Sequence, residues 1–221
     1  MPPPAPGLRN ALQSASEVLS LNLGSDSLDA LLQYLSLLQR WNGTYNLTSV
    51  RDPVQMLSLH LTDCLAVMNP LRRQLATQAT ARVLDVGSGA GLPGVLIAAL
   101  NPSIDVTCID TVGKKAAFVQ QVATELGLRN LHSVHARVEQ WSAAPFDIVA
   151  SRAFASLIDF VSLTRKHLAP SGAWLAMKGK RPDDELAQLP AGIDVFHVEP
   201  LSVPGLDAER CIVWMKATAP D

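Results

Sequence analysis

At 221 residues, the chain has room for one α/β domain with an added segment. Its 48% hydrophobic and 17% charged residues exclude a disordered or fibrous chain, and a net charge of −2 does not by itself announce a nucleic-acid partner. Three widely separated cysteines, Cys64, Cys108 and Cys211, offer neither a disulfide framework nor a structural zinc site, so no metal is expected.

Residues 1–7 hold four prolines and nothing to bury, and they read as a disordered tail. They have neither the charged start nor the apolar stretch of a signal peptide. The run 92–100 is too short for a membrane span, so a cytoplasmic protein without membrane contact is expected. An N-terminal helical extension follows over 8–70. Within it Leu28, Leu31, Leu32, Leu35 and Leu38 share a helical face behind a Ser27 N-cap. A second helix starts near Pro53 and carries Met56, Leu57, His60 and Leu61.

The remainder, 71–221, changes texture. Short apolar runs at Val83 to Val86, Ile104 to Ile109, Phe146 to Ala150 and Ala173 to Met177 alternate with helical patterns, which predicts βαβ units and a parallel sheet. Ala116, Val119, Val122, Ala123 and Leu126 form one helical stripe that stops at Gly127. Two last runs, Ile193 to Val198 and Cys211 to Lys216, have no helix between them and predict an antiparallel edge hairpin.

The segment Asp85-Val86-Gly87-Ser88-Gly89-Ala90-Gly91-Leu92-Pro93-Gly94 is a strand running into a glycine-rich turn and a helix. Gly89, Gly91 and Gly94 satisfy G-x-G-x-x-G, and Asp110 stands 21 residues after Gly89 in the place of a ribose-binding acid. Taken alone, the loop fits NAD as well as S-adenosylmethionine. Asp85 tips the balance: a carboxylate facing the crevice repels a pyrophosphate and attracts the ammonium of a methionyl group.

With these residues stand Trp41-Asn42, Asn46-Leu47-Thr48, Arg51-Asp52-Pro53, His60 with Asp63, Gly113-Lys114-Lys115, Arg137-Val138-Glu139, Ser151-Arg152-Ala153 and Lys178-Gly179. The ordered set resembles the RsmG (GidB) family over about 28–216. Gly43, where the family often has a basic residue, and Cys64, where serine usually follows His-x-x-Asp, depart from it. The resemblance implies a doubly wound, Rossmann-like class I methyltransferase fold, with a seven-stranded, mostly parallel sheet, a C-terminal antiparallel hairpin and the helical extension. It also implies S-adenosylmethionine as methyl donor and N7 of a guanine in the decoding-region loop of bacterial 16S ribosomal RNA as acceptor, presented on RNA or on the small ribosomal subunit. Gly87, Leu92, Val138, Glu139 and Arg152 are carried over as cofactor contacts, and Asp85, Gly89 and Asp110 join them on chemical grounds.

Guanine N7 already owns a free lone pair, so the sequence need display no nucleophile or general base. His60 and Asp63, three apart, read as a structural contact, and Trp41 and Tyr45 as core. Asn46, Lys114, Lys115 and Lys178 are the candidates for RNA contact. Lys114, Lys115, Arg129, His132, His135 and Arg137, with Lys178, Lys180 and Arg181, are expected to converge on one crevice. Two other readings remain open: an NAD-dependent dehydrogenase, and a non-catalytic ribosome-associated binder on the same scaffold.

Overall fold

A computed structural model describes residues 7–152 and 154–218. All of the expected tail except Gly7 lies outside the described residues, and Gly7 itself caps a helix that the sequence reading did not assign, α1 (Leu8–Val18). Its buried Leu8, Leu12 and Ala15 follow the four-and-three spacing of a helical face. The next helix, α2 (Ser25–Tyr45), begins before Ser27, which is therefore an internal residue and not the N-cap. The extended backbone of Gly24 starts the helix, and Asp26 in its first turn complements the positive end of the dipole. Pro53 opens α3 (Pro53–Met56) as expected, with the Asp52 carboxylate accepting the Gln55 amide at 2.9 Å. The chain then widens into a π-helical turn, Leu57–Thr62, before α4 (Asp63–Leu65) and α5 (Met68–Gln74).

Seven strands follow: β1 (Ala81–Val86), β2 (Ile104–Asp110), β3 (Leu131–His135), β4 (Phe146–Ser151), β5 (Leu168–Lys178), β6 (Ile193–Leu201) and β7 (Arg210–Ala217). Their order is β3-β2-β1-β4-β5-β7-β6. The first five are parallel, while β7 pairs antiparallel with both β5 and β6, as the two helix-free runs predicted. The crossovers are α6 (Gly94–Leu100), α7 (Gly113–Glu125) and α8 (Leu157–Thr164), and a single turn, α9 (Asp183–Leu186), precedes the hairpin. The α7 stripe is buried, and Gly127 leaves it with φ 65°.

One apolar core runs without a break from α1 and α2 through α5, α6 and α7 to one face of β1, β2 and β4, while α8 and the hairpin strands contribute to a second core on the other face. The order of strands reverses between β1 and β4, and a doubly wound sheet opens its ligand crevice at the carboxyl ends of the strands on either side of that point. No helix among the described residues is long and apolar enough to cross a membrane.

Candidate active site

A crevice of about 380 Å³ opens at the carboxyl ends of β1, β2 and β3, and Gly87, Asp110, Lys115, Val138 and Glu139 are among its walls. Gly87 (φ 65°) and Gly89 (φ 60°) turn the chain in left-handed conformations that side chains resist. The amides of Gly87 and Ser88 donate to the Ile109 carbonyl at 2.9 and 3.2 Å, tying the loop to β2. Asp110 fixes both lips: one carboxylate oxygen accepts from Gly89 N and the other from Val112 N, at 2.9 and 2.8 Å. Each oxygen keeps a further lone pair for a hydroxyl in the crevice.

Opposite, the carbonyl of Val138 accepts from His167 Nε2 and that of Glu139 from Lys166 Nζ, both at 2.8 Å, so this strip is held from behind. A buried apolar side chain at Val138 beside a half-open carboxylate at Glu139 suits an adenine ring. These walls and donors fit a nucleoside-sized cofactor.

The crevice gathers Gly87, Asp110, Val138, Glu139 and Lys115 from the sequence candidates, but not all of them. Asp85 does not face the opening. It is fully buried beneath the loop, where Oδ2 accepts the Gly94 amide at 2.9 Å and Oδ1 has no hydrogen-bond partner. A side chain at Gly94 would strike Cys108 Sγ and this carboxylate, so the α6 start is pressed onto Asp85 and shields it. Burial pushes the Asp85 carboxyl up to about 7, against the Gly94 hydrogen bond and the Arg152 charge, which favour ionisation. Leu92 is buried behind the loop. Gly89 contributes its amide to Asp110 and is not a wall of the crevice.

Arg152 belongs to an adjoining hollow of about 390 Å³ with His60, Asp63, Lys178 and Arg210. Its Nη1 donates to the Leu59 carbonyl at 3.2 Å and lies 3.6 Å from Asp63 Oδ2. Asp63, nearly fully buried, accepts from Arg210 Nε at 2.8 Å on its other oxygen. Two arginines thus share one carboxylate. His60 is not paired with Asp63; its Nε2 lies 3.0 Å from Thr48 Oγ1, and burial together with Arg152 lowers its pKa, so the ring is neutral near pH 7. Arg210 and Glu185 escaped the sequence reading. Arg210 meets Asp63 across 147 residues, and Glu185 reaches Lys178 Nζ at 2.8 and 3.0 Å and the Leu157 amide at 2.7 Å.

The cationic candidates do not converge on a single crevice. Lys178 is paired internally, and Lys180 and Arg181 line a neighbouring depression. Arg129 and His132 stand at the opposite end of the sheet, because they precede or begin β3; His132 pairs there with Asp105 at 2.7 Å. His135 Nε2 lies 3.1 Å from the Thr111 carbonyl. Lys114 is exposed on α7, and Asn46, in a left-handed conformation after α2, accepts from Arg51 at 2.8 Å.

Solved structures share this architecture at low sequence identity. The ribosomal protein L11 methylase from Lactobacillus delbrueckii subsp. bulgaricus superposes with a TM-score of 0.56 at 16% identity, over 70% of this chain and 78% of that one. A SAM-dependent methyltransferase from Thiobacillus denitrificans, solved with S-adenosyl-L-homocysteine, gives 0.50 at 15% identity, over 68% and 90% of the two chains. These likenesses establish the fold. In sequence, the ribosomal RNA small subunit methyltransferase G of Methylibium petroleiphilum is 58% identical across 96% of this chain and 95% of its own length. Since the family model GidB, rRNA small subunit methyltransferase G, also matches residues 27–213, which include the glycine loop, Asp110, the Val138-Glu139 strip and the Asp63-centred hollow, the chain belongs to that family.

Proposed function

We propose that this chain transfers a methyl group from S-adenosylmethionine to N7 of a guanine in the decoding-region loop of bacterial 16S ribosomal RNA, acting in the cytoplasm on RNA or on the small ribosomal subunit. The observation that carries the reading is the pairing of a crevice fitted to a nucleoside with membership of a small-subunit rRNA methyltransferase family. When bound, S-adenosylmethionine supplies an electrophilic methyl on its sulfonium sulfur. Asp110 would accept the ribose hydroxyls on its spare lone pairs, and Val138 and Glu139 would flank the adenine. Gly87 allows the backbone to approach closely.

The acceptor nitrogen carries no proton, so the chain contributes alignment and exclusion of water, with no proton to remove. Four of the five histidines support this reading by being engaged elsewhere: His60 at Thr48, His132 at Asp105, His135 at the Thr111 carbonyl and His167 at the Val138 carbonyl.

The test is methyl transfer from labelled S-adenosylmethionine to small subunits and to protein-free 16S rRNA, with the product mapped by nuclease digestion and mass spectrometry. The expected product is 7-methylguanine, made without a single indispensable histidine. A methyl on guanine N1 or the exocyclic amine, lost on replacing one histidine, overturns the N7 assignment because those positions require deprotonation. Stabilisation by NAD and not by S-adenosylmethionine removes the cofactor assignment.

A further inference from the structure

Four aromatic rings connect the core to the surface at the end of α2. Tyr34 and Phe118 are fully buried with centroids 6.1 Å apart, Trp41 packs edge-on to Phe118 at 5.5 Å, and Tyr45 lies 5.0 Å from Trp41. The series ends in solvent, since Tyr45 is 44% exposed. Its ring is backed by Trp41, which is partly buried and packed against the core, so less conformational freedom remains to be lost when a planar partner lands on it.

Two basic segments come near Tyr45, one following it in the chain and one starting the helix that packs against α2. Helices α2 and α7 run antiparallel, because Gln33 donates to the Glu125 carbonyl at 3.2 Å while Trp41 meets Phe118. Tyr45 lies one turn beyond Trp41 and Lys114 one turn before Phe118, each about 6 Å further along, so the end of α2 and the start of α7 lie toward the same end of the pair. Lys114 is exposed there, and Lys115 reaches the crevice wall. From the other side, Arg51 is held against Asn46 at 2.8 Å, immediately after Tyr45 in the chain. No acidic residue occurs from Arg40 to Arg51, and the Asp52 carboxylate is occupied by the Gln55 amide.

We propose that Tyr45 is a stacking platform for an unpaired base of the RNA next to the methylated guanine, with Arg51, Lys114 and Lys115 taking the adjoining phosphates. This rests on the rRNA methylation reading above. An exposed aromatic ring near cations matches single-stranded nucleic acid, which offers a π-face and a phosphate at every step. An acidic protein surface has the complementary charge but does not call for a backed ring.

The experiment compares wild type with Tyr45→Ala and Tyr45→Phe. Melting shifts with S-adenosylmethionine first establish that each variant is folded and binds cofactor. Binding is then measured to small subunits and to protein-free 16S rRNA. Tyr45→Ala is expected to weaken binding by about 5- to 150-fold, the loss of one stacked base, and Tyr45→Phe to stay near wild type. The salt dependence of binding should be the same in all three, because no charge is removed. Equal binding by Tyr45→Ala and wild type overturns the proposal. So does photo-crosslinking from Tyr45→p-benzoylphenylalanine to a ribosomal protein, whereas an adduct on RNA supports it. Wild type that neither binds nor methylates rRNA would instead defeat the functional reading on which the proposal stands.

Discussion

Asp85 shows how one buried side chain ties the stability of the cofactor loop to pH. Its carboxyl titrates at about 7 in the folded chain against 3.8 for the free group, chiefly because burial penalises the charge. The folded state therefore binds more protons than the unfolded state between those values, and unfolding free energy falls as pH rises through that window. The contribution is fully present below pH ~4 and lost by the time the pH has passed ~7; at its limit it is about 4 kcal/mol. Chemical denaturation from pH 4 to 8 should show this decline in wild type, with a flatter profile for Asp85→Asn, whose amide oxygen still accepts from Gly94. Identical slopes in the two proteins would mean that another group governs the titration. The residue was legible as important from its place before the glycines, but its direction was not. Whether a carboxylate at a strand end points into the crevice or under the loop depends on the packing of Gly94 against it, a contact nine residues away.

At the level of elements, α2 acts directly on the glycine loop. The Tyr34 hydroxyl, fully buried, donates to the Ala90 carbonyl at 2.9 Å, in the middle of that loop. Replacing Tyr34 with phenylalanine keeps the ring packing against Phe118 but leaves a buried carbonyl without this donor, at a cost of about 1–3 kcal/mol. Tyr34→Phe should therefore lower the melting temperature and weaken S-adenosylmethionine binding together, as calorimetry and equilibrium titration can show. An unchanged cofactor affinity would separate the helix from the loop.

Nothing in the amphipathic pattern of α2 announced this hydrogen bond, because it joins residues 56 apart. The long helices and inner strands were legible because burial imposes a pattern on them: α2 and α7 show stripes, and β1, β2, β4 and β5 show short, mostly apolar runs. The edge strand β3 was missed, as its His132, Ser133 and His135 interrupt any apolar run. The π turn at Leu57–Thr62 has no distinct sequence period; within it the Thr62 hydroxyl also donates to the Leu57 carbonyl at 3.1 Å.

Across the whole molecule, the net charge of −2 conceals a division between cations that are already neutralised and cations that face solvent. Lys178 is half-buried and doubly bonded to Glu185, and Arg152 and Arg210 share Asp63, while Lys114 is exposed and pairs with no carboxylate among the described residues, and Lys115 stands on the crevice wall. Only a cation that displaces counterions from the RNA contributes to the salt dependence of binding, at about 0.7–0.9 in the logarithmic slope for each phosphate contacted. Removing Lys114 or Lys115 should therefore weaken RNA binding at low salt and reduce that slope by about one contact each. Lys178→Ala should leave the slope nearly unchanged. Its main effect is on stability, because it strands Glu185 and with it the carboxylate that caps the Leu157 amide at the start of α8. Filter binding of 16S rRNA from 50 to 200 mM salt, run beside thermal melts of the same variants, separates the two outcomes. A slope reduced by Lys178→Ala as much as by Lys115→Ala would show that RNA displaces Glu185 from Lys178. The phosphate track would then extend from the crevice across the hollow that Asp63 organises.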